Sequence, residues 1–173
     1  ISFTASENST CVPSLGMFIL YSKPANYATA YNNCLSDNGQ LVHIATAIRT
    51  NEMSKFLKRS ISSARSEKLV AFVGLNESNT RNNFFTSNNE PLECFDFRAW
   101  ALGHPPEIRK HPACVVVTQN ASWKVHFCNK KAPYICEIFA NGPNPHIKNI
   151  NQTCSIKKPN NRFMPKKAIN SEI

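Results

Sequence analysis

Seven cysteines, at positions 11, 34, 94, 114, 128, 136 and 154, constrain this chain more than any other feature of its sequence. None belongs to a CxxC pair and none alternates with histidine at zinc-finger spacing, so the pattern gives little support to a structural metal site or a dithiol redox centre. A framework of disulfides is the better reading, and it requires an oxidising compartment. Asn-x-Ser/Thr sequons at Asn8, Asn76, Asn120 and Asn151 agree with export and are the candidate glycosylation sites. An odd cysteine count leaves one thiol over, either free or bonded to a second chain.

The length of 173 residues allows one domain with extensions, and a hydrophobic content of 42% is enough to build a core. No apolar run reaches about 18 residues, so these residues include no membrane span. The chain opens at Ile1 without a basic and then apolar leader, which reads as a processed or trimmed product. The net charge is +9. Outside the cell such basicity points away from nucleic acid and toward anionic glycans, anionic surfaces or an acidic protein, with a merely solvated surface as the plain alternative.

The sequence divides into an N-terminal extension (1–10), a domain (11–138) and a basic, proline-containing tail (139–173). The tail carries six Lys/Arg against one acidic residue, and its prolines at 143, 145, 159 and 165 exclude a regular helix. Lys157, Lys158, Arg162, Lys166 and Lys167 form a loose basic cluster there, fit for a stalk or for contact with an anionic glycan.

Within the domain, Met17–Tyr21 is suited to a first strand. Residues 26–35 suit a helix with Ala28, Tyr31 and Leu35 on one face, and Gly39 stands where a left-handed cap would end it. Residues 48–61 suit a second helix that buries Met53, Phe56 and Leu57 and pairs Glu52 with Lys55. Leu69–Val73 reads as a buried strand ending at Gly74, and three further strands are expected at 115–117, 123–127 and 132–136. Residues 76–112 hold no long periodic element, which is uncommon inside a compact domain and marks an organised loop. Its Phe84, Phe85, Leu92, Phe95, Phe97, Trp100 and Leu102 can all be buried. The class is α+β.

Several of these residues carry a resemblance to the C-type lectin-like domain over most of 11–138. Phe72-Val73-Gly74-Leu75 is similar to that family's "WIGL" core strand. Trp123 stands at the tryptophan of its "WND" motif. Cys114 to Val117, Cys128 and Pro133 to Glu137 resemble its last strands, and Asn33 to Leu41 its first helix and exit. The resemblance implies a disulfide-stabilised fold of two helices, small antiparallel sheets and a long loop, with Cys34 bonded to Cys136 and Cys114 to Cys128. The family's longer form closes an N-terminal hairpin with a cysteine about ten residues after the first, where this chain has Tyr21 and Ser22. Cys11 with Cys154 is then the favoured third bridge, leaving Cys94 as the free or intermolecular thiol. Cys94 with Cys11 is the other pairing.

Sugar-binding members of the family hold calcium with oxygen donors from two motifs. Here the first falls on His104-Pro105-Pro106, with the cis proline expected at Pro105, and the second on Trp123-Lys124-Val125. The donors are gone and Lys124 adds a cation, so neither the principal calcium site nor any other cofactor is expected. No nucleophile motif, HExxH or paired carboxylate accompanies His104, His111 and His126, so no enzyme is expected. The leading reading is an extracellular module that recognises a protein partner without calcium. It would use a long-loop face with Phe97, Arg98, Trp100, Ile108, Arg109, Lys110 and Lys124, and a bond through Cys94 could make that partnership covalent. A calcium-independent glycan or glycosaminoglycan binder and a disulfide-linked structural subunit are the alternatives.

Overall fold

The apolar run at 17–21 is the middle of a longer strand, because residues on both sides of it find partners. The computed structural model of the chain describes residues 7–61, 69–78, 83–107 and 112–139. In it β1 (Glu7–Val12) and β2 (Gly16–Ala25) form an antiparallel hairpin, so residues 7–10 of the expected extension lie in the sheet. There follow α1 (Tyr27–Ser36), β3 (Gly39–Leu41), α2 (Ala47–Ser60), β4 (Val70–Glu77), β5 (Phe84–Thr86), β6 (Ala113–Thr118), β7 (Trp123–Phe127) and β8 (Ala132–Ile138). The sheet runs β1-β2-β8-β4-β6-β7, with β3 also on β8 and β5 also on β4. The last strand therefore lies in the middle, antiparallel to β2 and parallel to β4 through Phe72 and Tyr134.

The α+β class and both helices are as expected, but α1 turns a different face inward. Ala30 and Cys34 are buried, whereas Tyr31 and Leu35 are more than a third exposed and Ala28 is exposed. The side chain of Asn26 caps the helix by accepting from the Thr29 N–H at 2.8 Å. At its other end the left-handed residue is Asn38 (φ 58°), not Gly39. Gly39 instead opens β3, where a Cβ would come within 2.4 Å of the Glu137 carbonyl oxygen. The second helix buries Met53, Phe56 and Leu57, and Lys55 bonds Glu52 at 2.8 Å, both as expected.

Strand β4 does not end at Gly74 but passes through it to Glu77, with a register shift against β6 between Phe72 and Asn76. The lack of a side chain is what lets two segments close on this point. A Cβ on Gly74 would lie 2.4 Å from the Leu41 carbonyl oxygen and 1.8 Å from Ser87 Oγ. Arg49 of α2 makes a two-pronged ion pair with Glu137 of β8, at 2.8 and 2.9 Å, and also donates to the Leu15 carbonyl. One buried carboxylate thus ties helix, sheet and first hairpin together, a geometry suited to guanidinium.

Two disulfides are those the resemblance implies. Cys34–Cys136 pins α1 to β8, and Cys114–Cys128 joins β6 to the segment after β7. The remaining assignment is corrected. Cys11 is a free, exposed thiol on the edge strand β1, so it pairs with neither Cys154 nor Cys94. Cys94 is disulfide-bonded and is not the spare thiol. A maleimide added to the native chain is therefore expected to label Cys11, and Cys11→Ser to abolish that label. Native-state labelling of Cys94 would contradict the assignment.

Candidate functional site

The long loop is organised by the polar groups of its own backbone. Phe85 bridges to Pro91 across a tight turn in which Asn89 takes a left-handed conformation, and a single 3-10 turn follows at Leu92–Cys94. The guanidinium of Arg98 donates to the carbonyls of Phe95, Phe97 and Leu92. Those three bonds staple the loop, and Arg98 is exposed on it. Phe97 and Trp100 are half-buried, each edge-to-face on Trp123 at 5.6 and 5.5 Å. Their packing on that ring sets the loop's shape.

The next segment follows β7. Trp123 donates its N–H to the Ala99 carbonyl at 2.7 Å and accepts from the Ala101 N–H at 2.9 Å. Its ring is fully buried, and Nε1 donates to Thr50 Oγ1 at 3.0 Å. Two residues on, Val125 donates its N–H to Nδ1 of His104 at 3.0 Å. His104–Pro105 is cis, as expected. The imidazole thus fastens loop to strand where the family resemblance would put oxygen ligands, and Lys124 lies between the two bonded residues of β7. Among the described residues no three His, Cys, Asp or Glu side chains gather closely enough to hold a metal ion.

That bond needs a neutral imidazole, since a protonated Nδ1 cannot accept. Partial burial, and then the Lys124 ammonium, hold the His104 pKa below the ordinary histidine value. His43, packed against Phe95, is lowered too, first by burial and then by Arg49, against the opposing pull of Glu137 and Glu90. Histidines with a depressed folded pKa contribute stability that is complete above the unfolded value of about 6.5 and is lost as pH falls through the folded value. The denaturation midpoint is therefore expected to fall as the medium is acidified from neutrality to about pH 5, and less steeply in His104→Ala. A midpoint that rises over that range would contradict the arrangement.

The outermost apolar side chain is one the sequence placed inside. Leu102 is fully exposed, ahead of Gly103 in a left-handed conformation with open space around it. Phe127, at the end of β7, is half-exposed, and Lys124 is exposed. Of the other residues expected on the face, Ile108, Arg109 and Lys110 lie outside the described residues, as do Cys154, Asn151 and the tail cluster of Lys157, Lys158, Arg162, Lys166 and Lys167. Asn120 is exposed in the turn between β6 and β7, whereas Asn76 is half-buried in β4, between β5 and β6. Asn8 is exposed, and its amide donates to the Ser60 carbonyl at 3.0 Å.

Beside the loop, Phe84, Phe85, Pro91, Leu92 and Trp100 line a cleft of about 300 Å³, with Glu93 and Arg98 also in its wall. Motif reading found the loop but not this cleft, which depends on Arg98 folding 92–98 back on itself.

Comparison with known proteins agrees with this geometry. The model of the lectin C-type domain matches residues 23–138. Chicken (Gallus gallus) collectin-10 is 25% identical over 121 residues, which is 70% of this chain but 41% of the relative, so the chain spans about two fifths of that protein. Human lithostathine has the same fold, with a TM-score of 0.63 and 18% identity over 79% of this chain and 90% of that one. A calcium-independent type II antifreeze protein superposes with a TM-score of 0.58 and 15% identity, covering 78% and 92% of the two chains. At such identities the structural likeness shows fold alone. The family match spans most of the chain, and with the two disulfides, the mixed sheet and the loop on Trp123 it leads to one conclusion: the chain belongs to the C-type lectin family, and residues 23–138 are its lectin C-type domain, an extracellular recognition module.

Proposed function

We propose that this domain recognises a protein partner outside the cell, without calcium and without catalysis, through the surface where the long loop meets β7. The observation that carries the reading is the His104–Val125 hydrogen bond with Lys124 beside it. The bond fastens the loop by a neutral contact, and the charge of Lys124 next to it disfavours a divalent cation. The fold tolerates such a change, since one protein sharing it is itself described as calcium-independent. Exposed Leu102 and Lys124, together with Ile108, Arg109 and Lys110, offer the mixture of apolar and cationic groups suited to a protein interface. A glycan on Asn120, in the turn leading into β7, would crowd a large saccharide at the same surface.

The density of basic residues in 139–173 favours a second reading, in which the tail holds an anionic glycan. Retention on heparin at physiological salt, lost when the tail is removed, would support it. In a third reading the chain is a disulfide-linked subunit, and among the described residues the free thiol for that bond is Cys11. The leading reading is tested by screening the domain against extracellular proteins and a glycan array in EDTA. Binding to a protein is expected to survive EDTA and to weaken at least about tenfold in Leu102→Asp or Lys124→Glu, the loss of about 1.4 kcal/mol, with the unfolding midpoint unchanged. Binding to glycans alone, or only with calcium, would overturn it.

A further inference from the structure

The cleft beside the long loop holds two fixed, opposite charges that do not neutralise each other. Glu93 and Arg98 both line it, and neither takes part in an ion pair among the described residues, where the pairs are Arg49–Glu137 and Lys55–Glu52. Both side chains are exposed. The rest of the wall is largely apolar and includes three aromatic rings, those of Phe84, Phe85 and Trp100. We propose that this cleft binds a small zwitterion, a phosphocholine group, with its quaternary ammonium against the rings and Glu93 and its phosphate on Arg98. Neither Leu102 nor Lys124 lines the cleft, so this is a second site and does not rest on the protein-partner reading.

Each part of the ligand answers a part of the wall. A cation alone would meet the guanidinium, and an anion alone the carboxylate, so the complement is a ligand that carries both charges. An aromatic face attracts a cation through its ring quadrupole, and a fully methylated ammonium asks for no hydrogen-bond acceptor. A primary ammonium carries three N–H donors, which aromatic rings leave unsatisfied. The cleft volume of about 300 Å³ lies at the lower end of the range for ligand pockets, roughly 300–1,000 Å³, and suits a head group rather than a saccharide chain.

The phosphate end needs donors, and Arg98 has them. A guanidinium carries five N–H groups, of which three go to the carbonyls of Phe95, Phe97 and Leu92. Two remain for phosphate oxygens, and the bonds already made hold the group still, which lowers the ordering cost of binding. The rings are held as well. Phe84 packs on Trp100 with centroids 5.0 Å apart, and Phe85 bridges to Pro91.

The test titrates the full chain with phosphocholine, followed by calorimetry and by tryptophan fluorescence. The sequence has two tryptophans, and since Trp123 is fully buried, a change on binding reports Trp100 in the cleft wall. One saturable site is expected. Choline, which lacks the phosphate, and phosphoethanolamine, which lacks the methyl groups, are each expected to bind at least about tenfold more weakly. Glu93→Gln is expected to weaken phosphocholine binding about tenfold with the unfolding midpoint unchanged, because its side chain is exposed. No saturable binding at millimolar phosphocholine would overturn the proposal. So would equal affinity for phosphoethanolamine, or a Glu93→Gln chain that binds as tightly as the native one. Vesicles then identify the source of the group. Sedimentation with phosphatidylcholine vesicles would assign it to a lipid surface, and binding of soluble phosphocholine without sedimentation would assign it to a soluble carrier; either result supports the site. No protein partner enters this experiment, so its failure is separate from any failure of partner recognition.

Discussion

Replacing Cys34 and Cys136 together by alanine is expected to destabilise the domain by about 4–5 kcal/mol, because the bridge closes a loop of about a hundred residues in the unfolded chain. For a domain of this size that is a fall of roughly 15–20 °C in the unfolding midpoint. The bridge joins α1 to the central strand, and both half-cystines are fully buried, so packing loss adds to the entropic effect. Removing Cys114–Cys128, whose cysteines are 14 residues apart, is expected to cost less, about 3 kcal/mol. Urea denaturation of the two double variants measures the difference directly. Equal costs would mean that chain entropy does not govern this framework.

Trp123→Ala is expected to cost about 3–5 kcal/mol, the range for deleting a large aromatic side chain from a core. The ring is fully buried, receives the edges of Phe97 and Trp100, and bonds Thr50 through Nε1. Its removal therefore opens the main core and takes away the floor on which the long loop rests. Trp123→Phe retains much of the volume but leaves the Thr50 hydroxyl short of one partner, at about 1–3 kcal/mol. The alanine variant is also expected to increase amide exchange through 97–104, where the loop pairs with β7. A cost below that of the phenylalanine variant would show that the loop carries its own stability.

The same residues explain what could be read before any coordinates. The order of Cys34, Phe72 to Leu75, Cys114, Trp123, Cys128 and Cys136 was enough to identify the fold through its resemblance to a known family. Four features depended on contacts that a linear pattern does not encode. The inward face of α1 follows from Cys34 being pulled onto β8, which overrides the apolar stripe of Ala28, Tyr31 and Leu35. Gly74 continues β4 because Leu41 and Ser87 close on it, and neither adjoins it in sequence. Arg98 was read by type as an interface residue, and a linear pattern does not show that it also donates to three carbonyls of its own loop. Leu102 looked like core by type, but it follows the last strand-like contact of the loop and has nothing above it. For the candidate site, the family resemblance implied a loss of oxygen donors at 104–106 and 124–125. It could not show that His104 and Val125 bond each other there. The spare cysteine was misassigned for a similar reason, because the β1–β2 hairpin that holds Cys11 in the open has no distinctive pattern of its own.

Calcium titration tests the central claim most directly. Calorimetry of the domain with calcium chloride, paired with thermal unfolding in EDTA and in excess calcium, is expected to give no saturable heat and the same unfolding midpoint in both media. A one-site isotherm accompanied by a calcium-dependent rise in the midpoint would contradict it, because a ligand that binds only the folded state must stabilise that state.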